Sequence, residues 1–302
     1  NHLHGQTDLT STQLHTCLLR YLLTCLAWLC AWHLPAASAQ DFHVRFERIK
    51  SRSGVTLGYI DAILQDSTGY IWMGGETGLV RFDGYEFRVY RNHPDDPQSL
   101  SNNTVWSIAE DARGDLWIAT EGGVNRYNRQ LDNFTRFQHD PADPHSLSHD
   151  TVRAVQVTRN NRILTGTFGG GAGLLNPEQG TFQPIHPTSD ERDSNIWSVY
   201  EDMAGRLWVG TEGGGASSYD PQSRAFTRYH TLAAGGQRIG SDTVRAIMQD
   251  RGGDIWLGTD AGVYRLNNGL VVEHWGHIPG QDSSLGSNIV WDVYEDQYSD
   301  IW

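Results

Sequence analysis

Glu110–Asn128 reads EDARGDLWIATEGGVNRYN, and Glu201–Asp220 reads EDMAGRLWVGTEGGGASSYD. The same tryptophan-centred phrase has been written twice, and working outward from it finds more copies. Aligned on an apolar residue followed by tryptophan, the chain gives Ile71-Trp72, Leu116-Trp117, Leu207-Trp208, Ile255-Trp256 and Ile301-Trp302. Ile163-Leu164 falls at the same place without its tryptophan. Positions 72, 117, 164, 208, 256 and 302 are 44 to 48 residues apart. A period near 46 lies in the range of propeller blades.

The second unit separates into four strands. TVWSIA (Thr104–Ala109) alternates and carries β-branched and aromatic residues, so it is expected to be a strand. Asp111-Ala-Arg-Gly114 is a turn, because Asp can bond the backbone ahead of it and Gly tolerates positive φ. DLWIAT (Asp115–Thr120), Val124–Tyr127 and Phe134–Phe137 are the further strands, with Glu121-Gly-Gly123 as the second turn. The Asp-x-x-Gly turn recurs at Asp66/Gly69, Asp202/Gly205 and Asp250/Gly253, and the third unit lacks it at Thr158–Asn161. The expected fold is all-β: a β-propeller of four-stranded antiparallel blades, five complete repeats plus part of a sixth. Helical arrays are excluded, since no unit sustains a 3.6-residue period and glycine interrupts every segment.

A single blade cannot bury both faces, and Trp72, Trp117, Trp208 and Trp256 are placed to wedge each blade against the next. Burying an indole of roughly 150–250 Å² at about 25 cal/mol per Å² contributes on the order of 4–6 kcal/mol before entropy costs. The phrase is therefore scaffold.

The 302-residue chain has a formal net charge of -13 and one lysine, Lys50. Such acidity repels phosphate backbones and anionic lipid surfaces, so no nucleic-acid partner is expected. Cys17, Cys25 and Cys30 all lie in an apolar stretch followed by Ala37-Ser38-Ala39. This pattern implies a signal peptide at residues 1–39, with an uncleaved membrane anchor as the alternative, and the propeller at residues 40–302, truncated at its C terminus. The mature chain then has no cysteine, which removes disulfides and thiol nucleophiles. Phe42–Ile49 alternates like a strand and is a candidate for completing a blade.

The repeated pattern V-x-x-I-x-[ED]-D-x-x-G-x-[IL]-W-[IVLM]-[GA]-T-x-x-G-[LV]-x-R-[FY] resembles the two-component regulator propeller repeat. IDAILQDSTGYIWMGGETGLVRFDG and TVRAIMQDRGGDIWLGTDAGVYRLN are good copies, and the DPxDPxSLSxD connections match as well. The resemblance covers about Phe42 to Trp302. It implies the extracytoplasmic sensor region of a membrane-spanning signalling protein, at the periplasmic face of a bacterial inner membrane. It also implies an output domain outside these residues, commonly a histidine kinase and sometimes a diguanylate cyclase. Its implied partners are a small-molecule or carbohydrate ligand and a second copy in a homodimer.

Candidate binding residues are of two kinds. Glu76, Glu121, Glu212 and Asp260 occupy the turn after the second strand, where they form either a partial acidic ring or merely polar turns. Trp106, Trp197 and Trp291 sit at a first-strand position and are either ligand platforms or further core. The polar connections Arg91–Asn103, Gln138–Asp150 and Gly276–Asn288 are expected on one rim, as binding loops. His139, His145 and His149 match no standard metal spacing, so neither metal nor cofactor is expected. Gly169–Gly171 and Gly213–Gly215 lack the Gly-Lys-Ser/Thr of a phosphate loop. No G-x-S-x-G or H-E-x-x-H is present, so no catalytic residue is assigned. The rival reading is an exported propeller enzyme, a lyase or a quinoprotein-like dehydrogenase.

Overall fold

The computed structural model describes residues 58–185 and 191–302; the expected signal segment and Phe42–Ile49 lie outside them. Five four-stranded antiparallel sheets follow one another, each a simple meander in chain order. They run over Ile60–Tyr90, Val105–Phe137, Val152–Ile185, Ile196–Tyr229 and Val244–Trp275. In the second blade the strands are Val105–Glu110, Leu116–Thr120, Gly123–Asn128 and Asn133–Phe137, within one residue of the expected bounds. A sixth unit has begun, with Glu295 bridged to Ile301.

The tryptophans are wedges. Trp72, Trp117 and Trp208 are fully buried and Trp256 nearly so. Trp72 packs on Leu116 and Tyr127 of the following blade, Trp117 on Ile163 and Leu175, and Trp208 on Ile255 and Leu266. The indole N–H of each is satisfied by the turn aspartate six residues earlier. Trp72 Nε1 donates to Asp66 Oδ2 at 2.7 Å, Trp117 to Asp111 at 3.1 Å, Trp208 to Asp202 at 2.8 Å and Trp256 to Asp250 at 2.7 Å. The aspartate does two jobs, since its other oxygen accepts the backbone N–H groups of the turn, as Asp202 Oδ1 does from Ala204 and Arg206 at 2.9 Å each. An indole buried this deeply must pair its N–H or forfeit the desolvation cost.

The third blade shows the two jobs are linked. It has Leu164 for tryptophan and Thr158 for aspartate, so donor and acceptor are lost together. The turn itself survives: the Asn161 N–H bonds the Thr158 carbonyl at 2.8 Å, and Asn161 takes the positive φ (54°) that glycine takes elsewhere.

Two further devices join neighbouring blades. A Glu or Gln just before the turn aspartate accepts a backbone N–H from the preceding blade: Ser67 to Glu110 (2.7 Å), Arg159 to Glu201 (2.7 Å), Met203 to Gln249 (2.6 Å) and Arg251 to Glu295 (2.9 Å). The second-strand glycines admit the next blade's first strand. A Cβ on Gly74 would lie 2.3 Å from Val105 Cγ1, and one on Gly166 2.4 Å from Ile196 Cγ2.

The long connections are pinned. Each is closed by a side-chain acceptor on a backbone N–H: Asn103 on Asn92 (2.8 Å), Asp150 on His139 (2.7 Å) and Asn288 on His277 (2.6 Å). The leucine of the Ser-Leu-Ser motif drops into the inter-blade core, as Leu100 and Leu147 do. His139 Nδ1 contacts the Leu147 carbonyl at 2.6 Å, the part played by the Asn92 amide on Leu100 at 2.7 Å.

Candidate functional site

Each first strand carries one irregularity at the same point. The pairing register skips one residue between Ile60 and Ala62, Val105 and Ser107, Val152 and Ala154, Ile196 and Ser198, and Val244 and Ala246. The unpaired residues are Asp61, Trp106, Arg153, Trp197 and Arg245, each five positions before its blade's turn residue; Trp291 holds the same place in the sixth unit. A bulge re-aims a side chain that regular alternation would fix. The first strands of consecutive blades adjoin, so these six positions converge on one hollow of about 450 Å³, lined also by Ser107, Ser198 and Asp292.

Within it the side chains form an alternating stack. The Arg153 guanidinium carbon lies 3.7 Å from the Trp106 ring centroid and 4.8 Å from that of Trp197. Arg245 lies 4.8 Å from Trp197 on one side and 4.1 Å from Trp291 on the other. Cation–π attraction holds such pairs, more strongly where water is thinned out. None of these three tryptophans belongs to the inter-blade core clusters, and Trp291 is 65% exposed. Three donors in the stack are buried and without a hydrogen-bond partner: Trp106 Nε1, Trp197 Nε1 and Arg153 Nε.

The turn acids sit around these arginines. Asp260 forms a two-point pair with Arg245, Nε to Oδ1 at 2.5 Å and Nη2 to Oδ2 at 3.1 Å. Glu76, Glu121 and Glu212 are exposed. The third blade has Phe168 where the others have an acid, and Phe168 lies against Arg153 and Trp197. The acid of the other blades is thus missing from the third, and Asp260 is the turn acid in direct contact with a stack arginine. Burial lowers the Arg153 pKa, opposed by the Glu121, Glu212 and Asp61 charges. Burial of its carboxyl and then the nearby Glu76 charge raise Asp61, with Arg153 opposing.

The sequence reading had singled out the three tryptophans and the acids but missed Arg153, Arg245, Phe168 and Asp61. The signal was the column Asp-Trp-Arg-Trp-Arg-Trp at constant distance from the turns. A larger hollow, about 840 Å³, lies between the third and fourth blades beside Leu207, Tyr219 and Ile185, where the wedge is missing. The smaller one is the better candidate, because orphaned donors and cations converge there.

A family model for the two component regulator propeller matches residues 99–122, 190–213 and 238–261. At those three segments the chain matches the two component regulator propeller repeat. A histidine kinase of Formosa agariphila is 36% identical over 63 residues, which is 21% of this chain and 5% of that protein. Among solved structures, the extracellular domain of a one component system of B. thetaiotaomicron is 25% identical, with a TM-score of 0.56 over 80% of this chain and 36% of that one. Virginiamycin B lyase from Staphylococcus aureus has the same TM-score at 12% identity, over 73% of this chain and 71% of that one, and shares the fold alone. The chain thus spans a small part of the kinase and about a third of the extracellular domain. No helix among the described residues is long and apolar enough to cross a membrane.

Proposed function

We propose that this propeller is the ligand-sensing, extracytoplasmic part of a membrane-bound two-component signalling protein with a histidine-kinase output. The observation that carries the binding role is the indole–guanidinium stack with its three unpartnered donors. No metal cage accompanies it among the described residues. The repeats and the likeness to the extracellular domain of a one component system support the signalling context. Trp106, Trp197 and Trp291 would meet the cue, while Glu76, Glu121, Glu212 and Asp260 set the charge around it. A ligand with different affinities for two arrangements of the protein shifts the balance between them, and that shift would be the signal passed across the membrane.

The coding sequence beyond Trp302 is the first test. A continuation into an apolar helix and a histidine-kinase core supports the proposal. A stop codon, or an extracellular catalytic domain, overturns it.

A further inference from the structure

The two arginines of the stack are built alike and satisfied differently. Both faces of each guanidinium are covered by indoles, so only its edge can meet a partner. The Arg245 edge is filled by the Asp260 carboxylate of its own blade. Arg153 has no such partner, because Phe168 occupies the place equivalent to Asp260. No carboxylate forms an ion pair with Arg153 among the described residues, and its Nε is buried and unbonded.

Resting on the binding role proposed above, we infer that the part of the Arg153 edge that lines the hollow is the receptor for a ligand carboxylate, and that the ligand is a small hydroxylated monocarboxylate of sugar-acid type. The Trp106 and Trp197 N–H groups supply donors for its hydroxyl oxygens. A hollow of about 450 Å³ accommodates such a molecule. Glu121, Glu212 and Asp61 act on Arg153 without pairing with it. They tolerate one incoming negative charge and repel a polyanion, which sets dianionic phosphate monoesters aside. Burial weakens the guanidinium's hold on its proton, and an arriving carboxylate relieves that.

The test is calorimetric titration of the full-length protein with D-galacturonate, D-galactose and inorganic phosphate. D-galacturonate is expected to bind at least about tenfold more tightly than D-galactose, the margin of one charge-assisted two-point contact. Phe168→Glu supplies Arg153 with the carboxylate that other blades carry, and is expected to weaken D-galacturonate binding by at least about tenfold. Arg153→Gln should do the same with the acid ring unaltered, and circular dichroism verifies that each variant folds. The inference falls if D-galactose or phosphate binds as tightly as D-galacturonate, if both variants bind it like the parent, or if it fails to bind at about 10 mM. D-galactose binding that depends on Trp197 but not Arg153 removes the carboxylate and keeps the sensing role. Arg153-dependent D-galacturonate binding that never alters kinase output does the reverse.

Discussion

Asp202 and Trp208 should behave as one unit, and the third blade provides the pattern for testing this. The Asp202 side chain is fully buried; its Oδ2 accepts the Trp208 indole at 2.8 Å and Arg206 Nε at 2.7 Å. In the third blade, Thr158 Oγ1 accepts only the Arg162 N–H at 3.0 Å, and Leu164 asks nothing of it. Asp202→Thr therefore strands one buried indole donor and breaks an ion pair, at a cost of about 2–3 kcal/mol. Trp208→Leu removes packing against Tyr229, Ile255 and Leu266, at about 2–4 kcal/mol. The double variant recreates the Thr–Leu pairing, so the stranded donor disappears with the indole. It should be less destabilised than the sum of the singles by about 1–2 kcal/mol. Urea unfolding followed by far-ultraviolet circular dichroism measures all three. A coupling below about 0.5 kcal/mol refutes the claim that the two residues are retained or lost together for a physical reason.

Asp66 is held at about 2 against an ordinary 3.8; burial raises it, but hydrogen bonds from Thr68, Trp72 and Arg129 outweigh that. A depressed folded value stabilises above 3.8 and is lost as pH falls toward 2, by about 2 kcal/mol in all, which acid unfolding of Asp66→Asn beside the parent detects. Leu147→Ala should cost about 2–5 kcal/mol in urea unfolding although Leu147 lies in a polar connection, because its side chain is core. Gly166→Val should lower the melting temperature through overpacking worth about 1–3 kcal/mol against Ile196. Asn161→Gly should be nearly neutral by the same measurement, whereas Asn161→Val should cost about 1–2 kcal/mol at that positive φ.

The scaffold was legible because its determinants are local and repeat. An apolar-Trp pair at constant spacing and an Asp-x-x-Gly turn announce a blade, and Leu164 with Thr158 announces the exceptional one. The contacts between blades were not legible. That Asp66 accepts the Trp72 indole depends on a hairpin folding back, and that Glu110 reaches Ser67 depends on the stacking of sheets. The direction of Arg153 and Arg245 is set by a bulge in the strand pairing, which regular alternation along the chain does not reveal. Leu100 and Leu147 were hidden by their setting, since Pro, Asp and Ser around them mark an exposed loop, while one apolar residue in each sinks inward.

The two sets of indoles give the protein an optical handle with two independent channels. Trp72, Trp117 and Trp208 are enclosed, with N–H groups tied to carboxylates. Trp106 and Trp197 keep unbonded N–H groups beside a solvent-connected hollow, and Trp291 is largely open to solvent. Emission from the first group reports whether neighbouring sheets stay clamped, and quenching or hydrogen–deuterium exchange of the second reports whether the hollow is filled. Occupancy and integrity can thus be followed in one sample without attaching a dye.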